Sequence, residues 1–383
     1  MAKLKYSAKK KKKSVLDRTI NFFANSTYHT YLVGGYVRDI TLGIEPIDID
    51  IVVEGDAIKA ARALNKQLKG KLHVYKEFGT ASIITEDKRV DLASARIEKY
   101  NSPAQLPHVY PSTINEDLNR RDFTINAMAM SISRDNFGEL FDPFNGLQDV
   151  KNGLIRVLHK NSFIDDPTRI FRALRYKNRF SFKIEKRTKL LMKEAIDKKI
   201  INHLTGQRIL NELKLIFQEQ KYEDTVRDIS NFKIYRIKKK DLDILQNLGQ
   251  DGFYYYLARI KANGMPITTE EKKIIKDMNN LPKTLARLEK TKKNSTIYYS
   301  LCDLSETVLE GICRLRPGFG DKMKIFRKLQ KVKPFITGND LKRRGFPEGK
   351  EYKRILRAVF TQQLDKKITS RKQALQYLKT LKK

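Results

Sequence analysis

Two aspartates separated by one residue, Asp48 and Asp50 in the stretch DIDIVV, are the first side chains of this 383-residue chain whose type and spacing suggest chemistry. On an extended segment, residues two apart project from the same face. Two acceptor-only carboxylates held together repel each other unless a cation lies between them, and Mg²⁺ is the usual partner of such oxygen donors. Asp91, among apolar neighbours in RVDLA, offers a third carboxylate. Three carboxylates around two Mg²⁺ ions suit in-line phosphoryl transfer. One ion activates the attacking hydroxyl and the other steadies the departing pyrophosphate. A D-x-D pair by itself is equally at home on a solvated edge strand, so the preceding residues matter. Gly34 and Gly35 in YLVGGYVR permit close backbone approach, with N–H groups for phosphate. Arg38, three residues on, adds a charge-assisted contact to the same triphosphate.

A second constellation lies at DDPTRIFRALR. Asp166 followed by Pro167 reads as an N-cap with proline at the first helical position. On that helix Asp166 and Arg169 are i,i+3 neighbours and can present an acceptor beside a donor. Arg172 and Arg175 continue along the same line, available for phosphate or for bracing the aspartate. Cytosine and adenine each place an exocyclic amino group beside an unprotonated ring nitrogen, whereas uracil and guanine place a carbonyl beside a ring N–H. An Asp acceptor with an Arg donor therefore accepts C and A, and is left unpaired by U or G.

These residues need a scaffold. SVLDRTINFFANS reads as a helix, TYLVGG as a strand broken by its glycines, and DIDIVVEG as a strand with one exposed face. AIKAARALNKQL is helical, and KLHVYKEF, ASIITED and KRVDLASAR read as strands. The segment 94–118, containing Pro103, Pro107 and Pro111, reads as a long polar loop. After residue 158 strand signals nearly vanish, and amphipathic helices follow one another, joined near Pro266, Pro282, Pro317, Pro334 and Pro347. The expected fold is α+β: a basic disordered tail over 1–13, a head with mixed sheet and helices over 14–158, a helical neck over 159–225, and an all-α body and tail over 226–383.

Composition narrows the function classes. The 78 Lys+Arg against 44 Asp+Glu give a net charge of +34, which points to a polyanionic partner, usually nucleic acid. The basic stretches KMKIFRKLQKVK and DLKRRGFPEGKEYKRILRAVF would track its phosphates. The two cysteines and five scattered histidines supply neither a disulfide framework nor zinc-ligand spacing, so a reducing cytoplasm is expected. No apolar run reaches membrane-spanning length, SAKKKKKSV lacks a signal peptide's apolar segment, and no G-x-x-x-x-G-K-[ST] loop occurs.

The spacing of the glycine turn, Arg38 and the D-x-D pair resembles the nucleotidyltransferase domain of the polymerase-beta superfamily. More narrowly, the chain resembles class II tRNA nucleotidyltransferases and bacterial poly(A) polymerases. NRRDFTINAMAM (119–130), DPFNGLQDVKNGLIRVL (142–158), FIDDPTRIFRALRYKNRFSF (163–182) and LTGQRILNELKLIF (204–217) match that family in order. The resemblance implies a polymerase-beta-like head and a helical neck, body and tail. It implies Mg²⁺ on Asp48 and Asp50, nucleotide contacts from Gly35, Arg38 and Arg121, and Asp166 with Arg169 as a protein template for the base. Asp91 stands where many members have Glu, and Asp165-Asp166 stands where the usual pair is Glu-Asp. A flexible loop like 94–118 is associated with addition of the final A, which argues against an enzyme adding only CC. The implied reaction builds or completes the 3′-terminal CCA of tRNA from ATP and CTP. A specialised A-adding enzyme and a poly(A) polymerase are the alternatives within the class.

Overall fold

The computed structural model describes residues 14–381 apart from 106 and 263, so the basic tail at 1–13 lies outside the described residues. They form two compact units, the first ending at Tyr235 and the second beginning at Arg236.

The first unit opens with α1 (Val15–Ala24), whose start is fixed by a capping box between Ser14 and Asp17. Strand β1 (His29–Val33) leads through the two glycines into α2 (Gly35–Thr41), then β2 (Ile49–Glu54) and α3 (Ala57–Leu68). Asp56 caps α3 through the Lys59 N–H, and its buried residues Ala57, Ala60, Ala61, Leu64 and Leu68 make one apolar stripe. That stripe packs on the sheet at β4 (Thr80–Ile84) and β5 (Arg89–Ser94), after β3 (Lys71–Tyr75). Next come β6 (Arg96–Lys99), β7 (His108–Pro111), α4 (Ile114–Asn119), β8 (Ala129–Ser131), β9 (Leu140–Phe141), α5 (Gly146–Asn152) and β10 (Leu154–Ile155). Helices α6 (Ser162–Asp165) and α7 (Thr168–Phe180), the short β11 (Lys183–Ile184), and α8 (Lys186–Asp197), α9 (Gly206–Phe217) and α10 (Tyr222–Asn231) complete the unit.

The main sheet has seven strands in the order β3-β4-β5-β2-β1-β8-β9. Neighbours are antiparallel except β2 and β5, which run parallel with Asp50 opposite Asp91. This pairing sets two carboxylates side by side on one face.

Three expectations need correction. The segment 94–118 is not an unbroken loop, because β6 and β7 pair antiparallel within it, Arg96 opposite Pro111 and Lys99 opposite His108. Pro103 and Pro107 lie in the connection and Pro111 at the last position of the strand, where a missing N–H costs the ladder least. Pro282 does not join two helices. It lies inside one 22-residue helix, whose buried stripe Ile274, Met278, Leu281, Leu285 and Leu288 outweighs the proline's local penalty. Strand β11, paired with β10, interrupts a region read as purely helical.

The second unit is helical: α11 (Lys239–Leu248), α12 (Gly252–Ile260), α13 (Thr269–Lys290), α14 (Asn294–Leu301), α15 (Glu306–Leu315), α16 (Gly320–Leu329), α17 (Gly338–Lys342), α18 (Lys350–Leu364) and α19 (Arg371–Thr380). Its last three helices enclose a core around Leu341, Val359, Ala374 and Leu378. Among the described residues no helix is long and apolar enough to cross a membrane.

Candidate active site

Strand β2 is buried at Ile49, Ile51, Val52 and Val53, so Asp50 is a carboxylate held in an apolar strand. Burial, with the charges of Asp91 and Asp48 added and that of Arg121 opposing, pushes the Asp50 carboxyl up to about 6. Such a group gains from a cation nearby, and its hard oxygens suit a divalent one. Asp48 lies in the exposed bend before β2 rather than on the strand. Asp91 is engaged already: Arg89 Nε approaches its carboxylate at 2.8 Å and the Ser82 hydroxyl donates to Oδ1. Among the described residues no group of three or more His, Cys, Asp or Glu side chains could hold a metal ion. The expected third ligand is therefore occupied by partners of its own.

At the glycine turn, Gly34 has φ +62°, a conformation L side chains rarely adopt. A Cβ there would stand 2.7 Å from Arg121 Nη1, so the missing side chain lets the guanidinium lie against the turn. The Gly34 N–H, expected to be free for phosphate, instead donates to the Met128 carbonyl at 3.1 Å. Arg121 is aimed by Asp117, to which its Nη2 donates at 2.8 Å. Asp117 also holds Arg120 at 2.7 Å. Burial alone would raise the Asp117 carboxyl, but the two guanidiniums keep it below the ordinary range. Arg38 is almost wholly buried. It donates to Asp39 at 2.8 Å and Asn126 at 2.6 Å beneath the Phe180 ring, so much of its capacity serves the fold.

Helix α7 begins at Thr168, one residue later than the Asp-Pro signal suggests. Asp166 still satisfies its first turn, since Oδ1 accepts from Thr168 N at 2.9 Å and Thr168 Oγ1 at 2.6 Å. Arg208 on α9 donates to the same Oδ1 at 2.7 Å, which leaves Oδ2 for a ligand. Arg169 is buried, its terminal nitrogens donating to Ser162 Oγ and the Arg120 carbonyl, each at 2.7 Å. Arg172 and Arg175 do not brace Asp166. Arg172 pairs with Asp122 at 2.6 Å and Arg175 with Glu219 at 3.2 Å, because successive turns of α7 face different neighbours.

A cleft of about 570 Å³ gathers Gly34, Gly35, Arg38, Asp50, Arg121, Asp166, Arg169 and Arg172. Asp48, Asp91 and Arg175 do not line it. Asp91 opens, with Asp50 and Arg121, on an adjoining cavity of about 340 Å³, and Arg175 lines a separate groove. Several lining residues are not foreseen from the sequence, among them Asp122, Arg120, Arg179 and Glu212. Asp122 and Arg120 belong to NRRDF, where adjacency to Arg121 is a usable signal. Glu212 is buried, its Oε2 has no hydrogen-bond partner, and burial raises its carboxyl against the pull of Arg172 and Arg175. Nothing in the local sequence marks it.

Residues 30–156 match the poly A polymerase head domain. A curated A-adding tRNA nucleotidyltransferase of Geobacter sulfurreducens is 33% identical over 89% of this chain, but over only 44% of its own length. The chain thus spans under half of that relative. An A-adding tRNA nucleotidyltransferase of Halalkalibacterium halodurans is 31% identical, with 91% of this chain and 87% of the relative covered. Among solved structures, an apo CCA-adding enzyme superposes with TM-score 0.77 at 30% identity, covering 95% of this chain and 94% of that one. A CCA-adding enzyme in complex with ATP gives 0.75 at 30% identity, covering 96% and 95%. The Thermotoga maritima CCA-adding enzyme complexed with tRNA gives 0.69 at 29% identity, with the same coverage.

Proposed function

We propose, for a chain that belongs to the tRNA nucleotidyltransferase family, a transfer of nucleoside monophosphate from ATP or CTP to the 3′ end of tRNA that builds or completes the CCA terminus. The terminal 3′-oxygen of the RNA forms a bond to the α-phosphorus, the bond from that phosphorus to the bridging oxygen breaks, and pyrophosphate leaves while the hydroxyl gives up its proton. One observation carries the reading: a half-buried carboxylate, a glycine turn with an arginine laid against it, and an Asp-Arg pair line a single cleft. The reading includes a cytoplasmic setting.

In this proposal Asp48 and Asp50 hold the divalent cation, and Mg²⁺ suits their hard oxygens. The raised Asp50 carboxyl favours that assignment, because carboxylates crowded together gain from a cation between them. The bound metal would supply charge neutralisation to the triphosphate and polarise the attacking hydroxyl. Asp91 assists by charge, beside Asp50 in register. Gly35, Arg121 and the remaining donor capacity of Arg38 and Arg172 seat the triphosphate. Asp166 Oδ2 accepts the exocyclic amino group of C or A and Arg169 donates to the adjacent ring nitrogen. Arg208 holds Asp166 in place.

A reading restricted to the final A has its own support, since the Geobacter and Halalkalibacterium relatives are both A-adding enzymes. Incubation with tRNAs ending before CCA, after C or after CC, each with CTP, ATP or both, separates the two. Extension of only the CC-ended tRNA, and only by A, selects the specialised enzyme. Extension of none of the three defeats both readings.

A further inference from the structure

A groove of about 540 Å³ in the first unit shares no lining residue with the cleft, and the function above does not use it. Four lysines line it: Lys177 from α7, Lys183 from β11, and Lys189 and Lys193 from α8. Only one of them is neutralised. Lys177 approaches Asp228 on α10 at 2.5 Å, and Asn178 Nδ2 donates to the same oxygen at 2.8 Å. Lys183, Lys189 and Lys193 are exposed, and their ammonium groups have no hydrogen-bond or ion-pair partner among the described residues. Lys189 and Lys193 are also i,i+4 neighbours, a spacing at which like charges destabilise a helix. Glu194, next to Lys193, is taken by Lys198 at 2.6 Å. Three unopposed cations around one hollow repel one another, and a polyanion seated among them removes that cost. The rest of the lining is of another kind. Ile184 and Phe232 are half-buried and apolar, and the exposed Asn231 carries an amide that both donates and accepts.

We infer that this groove is a second nucleotide site, one that takes a free nucleoside polyphosphate. The phosphates lie among Lys183, Lys189 and Lys193, the base rests against Phe232 and Ile184, and the Asn231 amide meets the base edge. Lysine is a compact point charge that holds phosphoryl groups without arginine's planar fork. Any base can lay its face on an aromatic ring, and an amide can pair with a carbonyl or an amino edge. The site therefore selects polyphosphate charge and a flat ring rather than one particular base. Two observations favour a free nucleotide over an RNA chain. The hollow is close in volume to the cleft, about 540 against about 570 Å³, and falls in the ordinary range for small-ligand pockets. Its unopposed charge is gathered on two successive elements, β11 and α8, rather than strung out as a track that a strand would follow. The site does not depend on the transfer reading, since no residue given a role in that reaction lines it.

The test counts ATP bound to the full chain by equilibrium dialysis with Mg²⁺ present. It compares wild type, Arg169→Ala, and a triple variant carrying Lys183→Ala, Lys189→Ala and Lys193→Ala. Wild type should bind two ATP per chain. In the triple variant one site should weaken by about tenfold or more, with the other site and the unfolding temperature unchanged. Arg169→Ala should keep the site that the triple variant loses, so the groove is read apart from the cleft. Photolysis with 8-azido-ATP should label residues 183–193 or 228–232 in wild type and not in the triple variant. An ATP count and affinities unaltered by the triple substitution, or labelling confined to other segments, would overturn the proposal. Inorganic pyrophosphate that displaces this ATP as well as unlabelled ATP does would overturn it in favour of a bare polyphosphate site. Weakened tRNA binding by the triple variant, with ATP binding unaltered, would overturn it in favour of RNA. Should wild type bind a single ATP that the triple variant loses, the groove stands and the cleft reading falls.

Discussion

Asp166 carries two loads at one oxygen, capping α7 through Thr168 and accepting from Arg208. Asp166→Ala should therefore cost about 1 kcal/mol of stability as a lost cap, and also base selectivity. Losing one member of a bidentate pair costs roughly 1–3 kcal/mol of discrimination by analogy with side-chain readout of base edges. Arg169 separates the two effects, because it caps nothing. Arg169→Ala should raise incorporation of U and G relative to C and A. Unchanged selectivity among the four triphosphates would remove the template assignment. Asp122 gives a pH-dependent prediction. Burial would raise its carboxyl, but Arg172 and Asn126 overcome this and hold it at about 2, below the ordinary 3.8. The unfolded chain then takes up the proton first as pH falls, so this group's contribution is complete above 3.8 and lost toward 2. Asp122→Asn should flatten that acid-side loss and cost about 1–3 kcal/mol at neutral pH. That is less than for a fully buried pair because the Arg172 side chain is 30% exposed. Denaturant melts across the acid range measure both effects.

At the scale of elements, the segment DPFNG explains how a helix start is built from sequence. Asp142 accepts from Gly146 N at 2.6 Å and Leu147 N at 2.9 Å, closing the first turn of α5. A Cβ on Gly146 would stand 2.2 Å from the Thr124 carbonyl and 2.9 Å from Met128 Cγ, with no flexible end to yield. Gly146→Ala should thus destabilise by about 3 kcal/mol, the upper part of the range for overpacking. A urea midpoint within error of wild type would contradict this close approach. Local signals of this kind are legible in the sequence. The residues of α3 and the strands around Asp50 and Asp91 follow from periodicity, and the D-x-D pair with its glycine turn marks the cleft. Pairing at a distance is not legible. Arg172 finds Asp122 across 50 positions, and Arg208 finds Asp166 across 42. A row of arginines at helical spacing says which face they share only when the neighbouring elements are known. Spacing alone accordingly puts Arg175 in the cleft, whereas it lies in the groove beside it. The β6–β7 hairpin escapes a periodicity argument because its four-residue strands are short and its prolines read as loop punctuation.

For the whole molecule the dominant fact is charge, 78 basic against 44 acidic side chains. Sequence-independent binding to RNA phosphates releases condensed counterions, so affinity should fall linearly in log–log terms as salt rises. The two compact units allow the contribution to be divided. The cleft belongs to the first, while the second carries the basic stretches KMKIFRKLQKVK and DLKRRGFPEGKEYKRILRAVF. A protein ending at Tyr235, first shown by circular dichroism to melt cooperatively, should retain ATP affinity within a factor of a few. Its tRNA affinity should fall much further, and the salt slope should become shallower by roughly 0.7–0.9 for each phosphate that the shorter chain no longer neutralises. The same measurements bear on the metal site. Asp50→Asn in the full chain should abolish incorporation while leaving the salt slope and tRNA affinity nearly intact, since a carboxylate releases no counterions. An unchanged slope on truncation would mean that the second unit is not the RNA platform, and the binding charge would then have to be sought on the first.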